Sequence, residues 1–363
     1  MRDFIPQIEP WIDSNELRHL SRVIDSTFVV EHKMTEEFEE KVKEHTSAKH
    51  AMAVANGTLA LYTCLKALEI GQGDEVIVPN LTFIATSNAV IMAGATPVFC
   101  DIERETLCID PDKIKNSITD KTKAITPVHL YGQSADMDKI MKIAKDHSLK
   151  VIEDAAQGVG VFYKGKHVGT IGDCGILSYY GNKTITCGEG GIILTNDDEI
   201  VKKCFRLKNH GRDRRGIFKH EHIGFNFSIT DMQSAIGVSQ MEKLPIILHK
   251  KKEIFENYVK GLSGVGDIKF QKFEDNVKPV HWFTSIFTNK NDELSKFLLE
   301  QNIQTRGFFY PLHLQPCYNK NGEKYVDFPV SEEVYNLGLS LPSSYGLSSD
   351  NQKYIISTIK KFF

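Results

Sequence analysis

The seven cysteines of this 363-residue chain stand singly at 64, 100, 108, 174, 187, 204 and 317, with no CxxC pair. An odd, scattered set supplies neither a disulfide framework nor a zinc-ligand pattern. No apolar run approaches the roughly 18 residues that a membrane span requires, and residues 1–14 lack the basic start and apolar centre of a secretory signal. Excess basic charge is also missing: 44 Lys and Arg against 47 Asp and Glu leave a formal charge of −3, which gives nucleic-acid phosphates no attracting field. Internal repeats and low-complexity tracts are absent. These absences set aside membrane and nucleic acid as partners, set aside a metal, and make a reducing cytoplasm the expected location.

What is present is ordinary globular material, 41% hydrophobic and 25% charged, enough for one large domain and a smaller one. Short β-rich runs at 75–78, 97–101, 124–130, 151–154, 175–179 and 191–195 alternate with helical patterns. Leu59, Leu61, Leu65 and Leu68 fall on helical spacing, as do Met137, Ile140, Met141 and Ala144. Such alternation predicts an α/β fold with a mostly parallel sheet covered by helices. After a long helical stretch over 229–256 the pattern changes to shorter elements with glycine-containing turns, as at 262–267. The expected division is a large domain over 1–245, N-terminal segment included, and a small C-terminal α/β domain over 246–363. The charged run 249–253 reads as a solvated helix face.

Three segments carry candidate chemistry. Asn56-Gly57-Thr58 precedes a helical pattern, where a helix N-terminus favours a phosphate; Asn56 as a plain helix cap fits equally well. Residues 151–157 form an apolar run ending in Asp154. In an open α/β sheet that places the carboxylate in the crevice where ligands gather, although such an acid also caps the next element. The third segment runs from Leu177 into a loop carrying Lys183, with glycines at 181, 188, 190 and 191 that let the backbone turn tightly. A phosphate site, a strand-end aspartate and a loop lysine, in that order, are what pyridoxal phosphate needs: an anion cradle, a carboxylate for its ring nitrogen and an amine for a Schiff base.

On these segments, together with Gly73-Asp74-Glu75-Val76-Ile77-Val78-Pro79, Thr82-Phe83-Ile84-Ala85-Thr86, Gly94-Ala95-Thr96-Pro97-Val98, Gln304-Thr305-Arg306 and Tyr310-Pro311-Leu312-His313, the chain resembles the DegT/DnrJ/EryC1/StrS sugar aminotransferases over nearly its whole length. The loop 181–186 looks most like the branch that contains GDP-perosamine synthase. The resemblance implies the fold of aspartate aminotransferase (pyridoxal-phosphate fold type I) and a homodimer with active sites at the subunit interface. It implies that Lys183 is the Schiff-base lysine and that Asp154 partners the pyridinium nitrogen. Phe83 would lie against the ring face and Gln157 beside its oxygen substituent. Gly57, Thr58 and Ser178 would hold the phosphate, with Asn226 reaching it from the other subunit. Arg306 and His313 become candidates for the substrate, a nucleotide-linked 4-keto-6-deoxy sugar, with glutamate as amino donor and cell-surface polysaccharide as the destination. A related 3-dehydratase has histidine where Lys183 stands, so the lysine favours transamination. Many relatives carry arginine at the position of Ser228. Two alternatives stay open: another nucleotide-sugar enzyme with this cofactor, such as a 3-aminotransferase or a dehydratase, and a non-catalytic regulatory protein that binds sugar nucleotides.

Overall fold

The computed structural model describes residues 3–214, 216, 218–318 and 327–363. Helices α1 (Ser14–Ser26) and α2 (Lys33–Thr46) lead into strand β1 (His50–Val54), α3 (Gly57–Ala67), β2 (Glu75–Pro79), α4 (Ala85–Met92), β3 (Thr96–Cys100) and α5 (Pro111–Ser117). There follow β4 (Thr122–Ile125), α6 (Met137–Asp146), β5 (Lys150–Asp154), the two-residue strands β6 (Phe162–Tyr163) and β7 (Lys166–His167), β8 (Cys174–Ser178), β9 (Gly191–Thr195) and α7 (Asp198–Lys208). The long α8 (Asp231–Leu262) precedes β10 (Lys269–Phe270), β11 (Val277–Lys278), β12 (Thr284–Phe287), α9 (Asn291–Glu300), β13 (Arg306–Gly307), α10 (Pro329–Leu337), β14 (Gly338–Leu341) and α11 (Ser349–Phe362).

The central sheet has the order β1-β9-β8-β5-β4-β2-β3. All of its strands run one way except β9, which pairs antiparallel with both β8 and β1, so the α/β expectation holds. Alternation sorts its side chains onto two buried faces. Val76, Val78, Ile152, Ile176 and Ile193 pack with α3, α4 and α7, while Ile77, Val151, Leu177 and Ile192 pack with α2, α6 and α8. Burial on both faces is why these strands read as continuous apolar runs. An antiparallel sheet, β10-β12-β14-β13, carries its own core with α8, α9 and α11.

Two elements depart from expectation. The run 124–130 is a strand only to Ile125, because Pro127 has no N–H to donate to a ladder and the chain then turns through Tyr131 at φ 49°. The helix expected over 229–256 extends from Asp231 to Leu262 and includes Pro245 in its interior. Its first turn is fixed by Asp231, whose carboxylate accepts the amides of His32, Met34 and Thr35 at 2.7, 3.0 and 3.0 Å. The buried Glu16 ties α1 to the same helix through Lys243, Gln240 and Ser239 at 2.7, 2.7 and 2.8 Å. Among the described residues, no helix is long and apolar enough to cross a membrane.

Candidate active site

Where β5 and β8 end and α3 begins, a cavity of about 570 Å³ opens, and Gly57, Thr58, Phe83, Asp154, Gln157, Ser178, Lys183 and Arg306 all lie in its wall. These residues are far apart in sequence. Parallel strands bring their carboxyl ends to one edge of the sheet, which is why a cradle forms there.

Asp154 is the last residue of β5 and only 4% exposed. One carboxylate oxygen accepts the Thr86 hydroxyl at 2.7 Å and the other the Ala156 amide at 3.1 Å. The preceding residue, Glu153, is fully buried and holds the chain behind the site. It accepts His129 Nε2 at 3.0 Å and the amides of Gly169, Ile171 and Gly172 at 2.8, 2.6 and 2.7 Å. Because His129 Nδ1 accepts the Ala135 amide at 3.2 Å, its ring proton is assigned to Nε2, facing Glu153.

Lys183 is half-buried, and its amine sits 4.6 Å from the centre of the Trp282 ring. Burial pushes its pKa down to about 8; the nearby Asp154 carboxylate opposes that shift and the Arg306 guanidinium reinforces it. Trp282 is itself held by a 2.7 Å hydrogen bond from its indole N–H to the Asn182 carbonyl. On the α3 side, Asn56 accepts the Leu59 amide at 2.9 Å, and so caps the helix while Gly57 and Thr58 line the cavity. A Cβ on Gly57 would stand 3.2 Å from that of Ser178, so a side chain there would crowd the cradle. Ser178 Oγ accepts the Tyr180 amide at 3.4 Å, leaving its proton free to donate to an anion.

Gln157 accepts the Tyr131 amide at 2.8 Å. Phe83 is 53% exposed, with its ring 5.9 Å from that of Phe309. Arg306 stands exposed on β13 at the cavity rim. Two predicted site residues are not in this wall. His313 is buried, with Asn80 on its Nδ1 side and Glu332 3.3 Å from Nε2. Asn226 is exposed beside Asn209, to which it is joined by an isolated bridge. Conversely, sequence reasoning gave no part to Thr86, Tyr131 or Phe309, and Trp282, an aromatic in the smaller domain, reads from sequence alone more readily as core than as substrate platform. Thr86 lies inside a segment already singled out; nothing local marks the other three.

The family model for DegT/DnrJ/EryC1/StrS aminotransferases matches residues 10–360. The chain belongs to that family. It is 40% identical to GDP-perosamine synthase of Vibrio cholerae, over 99% of each chain. It also superposes with a TM-score of 0.93 on S. venezuelae DesV in complex with a ketimine intermediate, at 30% identity and over 99% of each chain. Spr1654 from Streptococcus pneumoniae in its PLP form gives a TM-score of 0.93 at 26% identity, over 99% of this chain and 98% of that one. Family, relatives and fold together make this protein a pyridoxal-phosphate-dependent sugar aminotransferase, a transferase of nitrogenous groups, with the fold of aspartate aminotransferase. The residues present suit the cofactor. A buried carboxylate, an amine with a lowered pKa and a helix N-terminus backed by a serine share one cavity, and the buried Thr82 hydroxyl in its wall has no hydrogen-bond partner among the described residues.

Proposed function

We propose that this protein transfers the amino group of glutamate to the C4 ketone of a nucleotide-linked 4-keto-6-deoxy sugar, as a GDP-perosamine synthase does. The observation that carries the proposal is the convergence of Lys183, Asp154 and the first turn of α3 on one cavity. Similarity over the full length, at 40% identity, to a GDP-perosamine synthase supports the choice of sugar.

Pyridoxal phosphate supplies, when bound, a ring that accepts the electron pair left when a proton is removed from the carbon bearing nitrogen. In this proposal Asp154 would partner the ring nitrogen and favour its protonated form, since a nearby carboxylate favours the charged state. Thr86 fixes that carboxylate by donating to it. Lys183 would hold the cofactor through its amine, and the same amine would carry the proton. A lowered pKa keeps a working fraction of its amine neutral near physiological pH. Gly57, Thr58 and Ser178 would hold the phosphate, Phe83 would cover a ring face and Gln157 would serve the ring's oxygen substituent, all five lining the cavity. Arg306 at the rim faces the diphosphate, which its charge suits.

The exposed Asn226 completes the phosphate site of a second copy in a homodimer. Each copy comprises a large unit over 1–245 and a small one over 246–363, which meet within α8 and work in the cytoplasm. Glutamate leaves as 2-oxoglutarate before the sugar enters, so the kinetics are ping-pong.

Incubating the purified protein with glutamate and a panel of 4-keto and 3-keto sugar nucleotides, with products read by mass, tests the reaction. Amination of a 3-keto sugar alone would overturn the C4 assignment. The shared site is tested by co-expressing Lys183→Ala with an inactive Asn226 variant. Mixed dimers, verified directly, carry one site with both defects and one with neither, so activity returns; verified mixed dimers without activity would reject the arrangement.

A further inference from the structure

Outside the cavity, the buried ionisable group with the least expected surroundings is Lys251, midway along α8 and 3% exposed. Among the described residues no carboxylate pairs with it. Its Nζ instead donates to two backbone carbonyls, those of Trp282 and Ser343, each at 3.0 Å. Trp282 precedes β12 and Ser343 follows β14, the antiparallel partner of β12, so one amine fastens both strand ends to α8. Ser343 adds to the clasp by accepting the Thr284 amide on its hydroxyl at 2.9 Å.

Burying a lysine without a counter-ion is costly, because the charged form loses its hydration. Here burial pushes the pKa down to about 7. The neutral amine has two N–H groups for the two carbonyls, so the clasp survives loss of the charge. A methionine would avoid the cost but leave both carbonyls unpartnered.

Trp282 reaches the active site by its other end. Its indole N–H donates to the Asn182 carbonyl and its ring covers the Lys183 amine. We infer that Lys251 is a positioning residue for Lys183: it holds the Trp282 backbone so that the ring stays over the Lys183 amine and keeps water from it. The charged groups that act on Lys183 are Asp154 and Arg306; His281, beside Trp282, faces Lys251 and Lys252. The inference rests on the proposed function only in taking Lys183 as the reacting amine.

The experiment uses the full-length chain with cofactor removed. Labelling of Lys183 by limiting acetic anhydride is followed against pH by mass spectrometry, alongside melting temperature. In Lys251→Met the ring is released, water reaches the amine, and the labelling midpoint rises by about one pH unit, about tenfold less neutral amine at pH 7. Trp282→Phe gives a rise of its own, and adding Lys251→Met to it gives little more, as expected for two residues in one chain of contacts. A Lys251→Met protein that melts earlier but labels with an unchanged midpoint reduces Lys251 to a structural staple and overturns the inference. If Lys251→Met does not fold, an unchanged midpoint in Trp282→Phe overturns it instead. No sugar or donor enters the measurement, so a negative substrate panel with shifted labelling sinks the proposed reaction and leaves this inference standing.

Discussion

Two kinds of wall line the cavity. One is made by the ends of β5 and β8 and the first turn of α3; it is polar and carries Asp154, Ser178 and Lys183. The other is aromatic: Trp282 and Phe309 line it, and the buried Tyr131 backs them, stacked on Phe309 at 5.4 Å with rings 3° from parallel and lying 6.2 Å from Trp282 and 4.7 Å from Phe308. The polar wall is set by where strands end. The aromatic wall exists only because the segment after β4 docks against the C-terminal part of the chain. At the docking point Gly132, at φ +81°, accepts the Val280 amide at 3.1 Å, and a Cβ there would fall 1.7 Å from the Val280 carbonyl oxygen. The difference separates two kinds of work. In the proposed reaction the polar wall supplies groups that exchange protons and charge, and by the inference drawn from Lys251 the aromatic wall sets how dry those groups are.

If that separation is right, changes in the polar wall cost the most turnover. Lys183→Ala removes the amine itself and is expected to lower kcat by about ten-thousandfold or more, the scale seen when a group that acts covalently is deleted. Borohydride reduction of the wild-type holoenzyme should fix the cofactor to the peptide containing Lys183; attachment at another lysine would break the comparison at its root. Asp154→Asn keeps the shape and removes the charge. A loss of about a hundredfold or more in kcat is expected, in the range of single electrostatic groups in active sites, with cofactor binding still measurable by absorbance. Unchanged turnover would take Asp154 out of its role.

The same division explains what the sequence could and could not disclose. Asp154 and Lys183 were legible because each ends or follows an apolar strand run, and the direction of parallel strands then decides where the side chain goes. β9 was legible as a strand, but not its reversed direction, since an apolar run looks alike in either sense. Trp282 and Tyr131 were opaque for another reason. Their roles follow from contacts across the chain, such as the Tyr131 hydroxyl accepting the Phe309 amide at 3.2 Å, and no local pattern encodes a partner so distant in sequence. Lys251 read as part of a solvated charged run, yet it is buried while Lys252 beside it is exposed. One step of 100° along a helix separates water from core.

Thr86→Val tests whether the polar wall has depth. Its hydroxyl donates to Asp154 at 2.7 Å, and valine keeps the shape while leaving that oxygen without a donor. Hydrogen bonds to charged groups are worth about 1.5–3 kcal/mol, part of which the carboxylate recovers by shifting, so a fall of about tenfold in kcat is expected with KM for glutamate little changed. An effect confined to KM would mean that Thr86 shapes donor binding and not the carboxylate.

The smallest effects should come from residues at or beyond the rim, where Arg306 and His313 make a matched pair. Arg306 is exposed in the cavity wall, so its attraction for a diphosphate is weakened by water. An exposed charge pair is worth up to about 1 kcal/mol, which makes a rise of about fivefold in KM for the nucleotide sugar the expected result of Arg306→Ala, with kcat nearly unchanged. His313 lies outside the wall, held by Asn80 and Glu332 and packed 4.9 Å from the Phe328 ring. His313→Gln should therefore alter kcat/KM by less than about twofold. Its cost should appear as stability, of order 1 kcal/mol for the lost hydrogen bonds, read as a melting point lower by a few degrees. Raised salt separates the two further, since screening acts on the exposed guanidinium and hardly on a buried ring. In wild type the KM for the nucleotide sugar should rise with salt, and in Arg306→Ala that dependence should flatten, while in His313→Gln it should persist. A tenfold loss of kcat/KM in His313→Gln at unchanged melting temperature would show that the substrate reaches past the cavity wall to His313, and would move the boundary between the two walls.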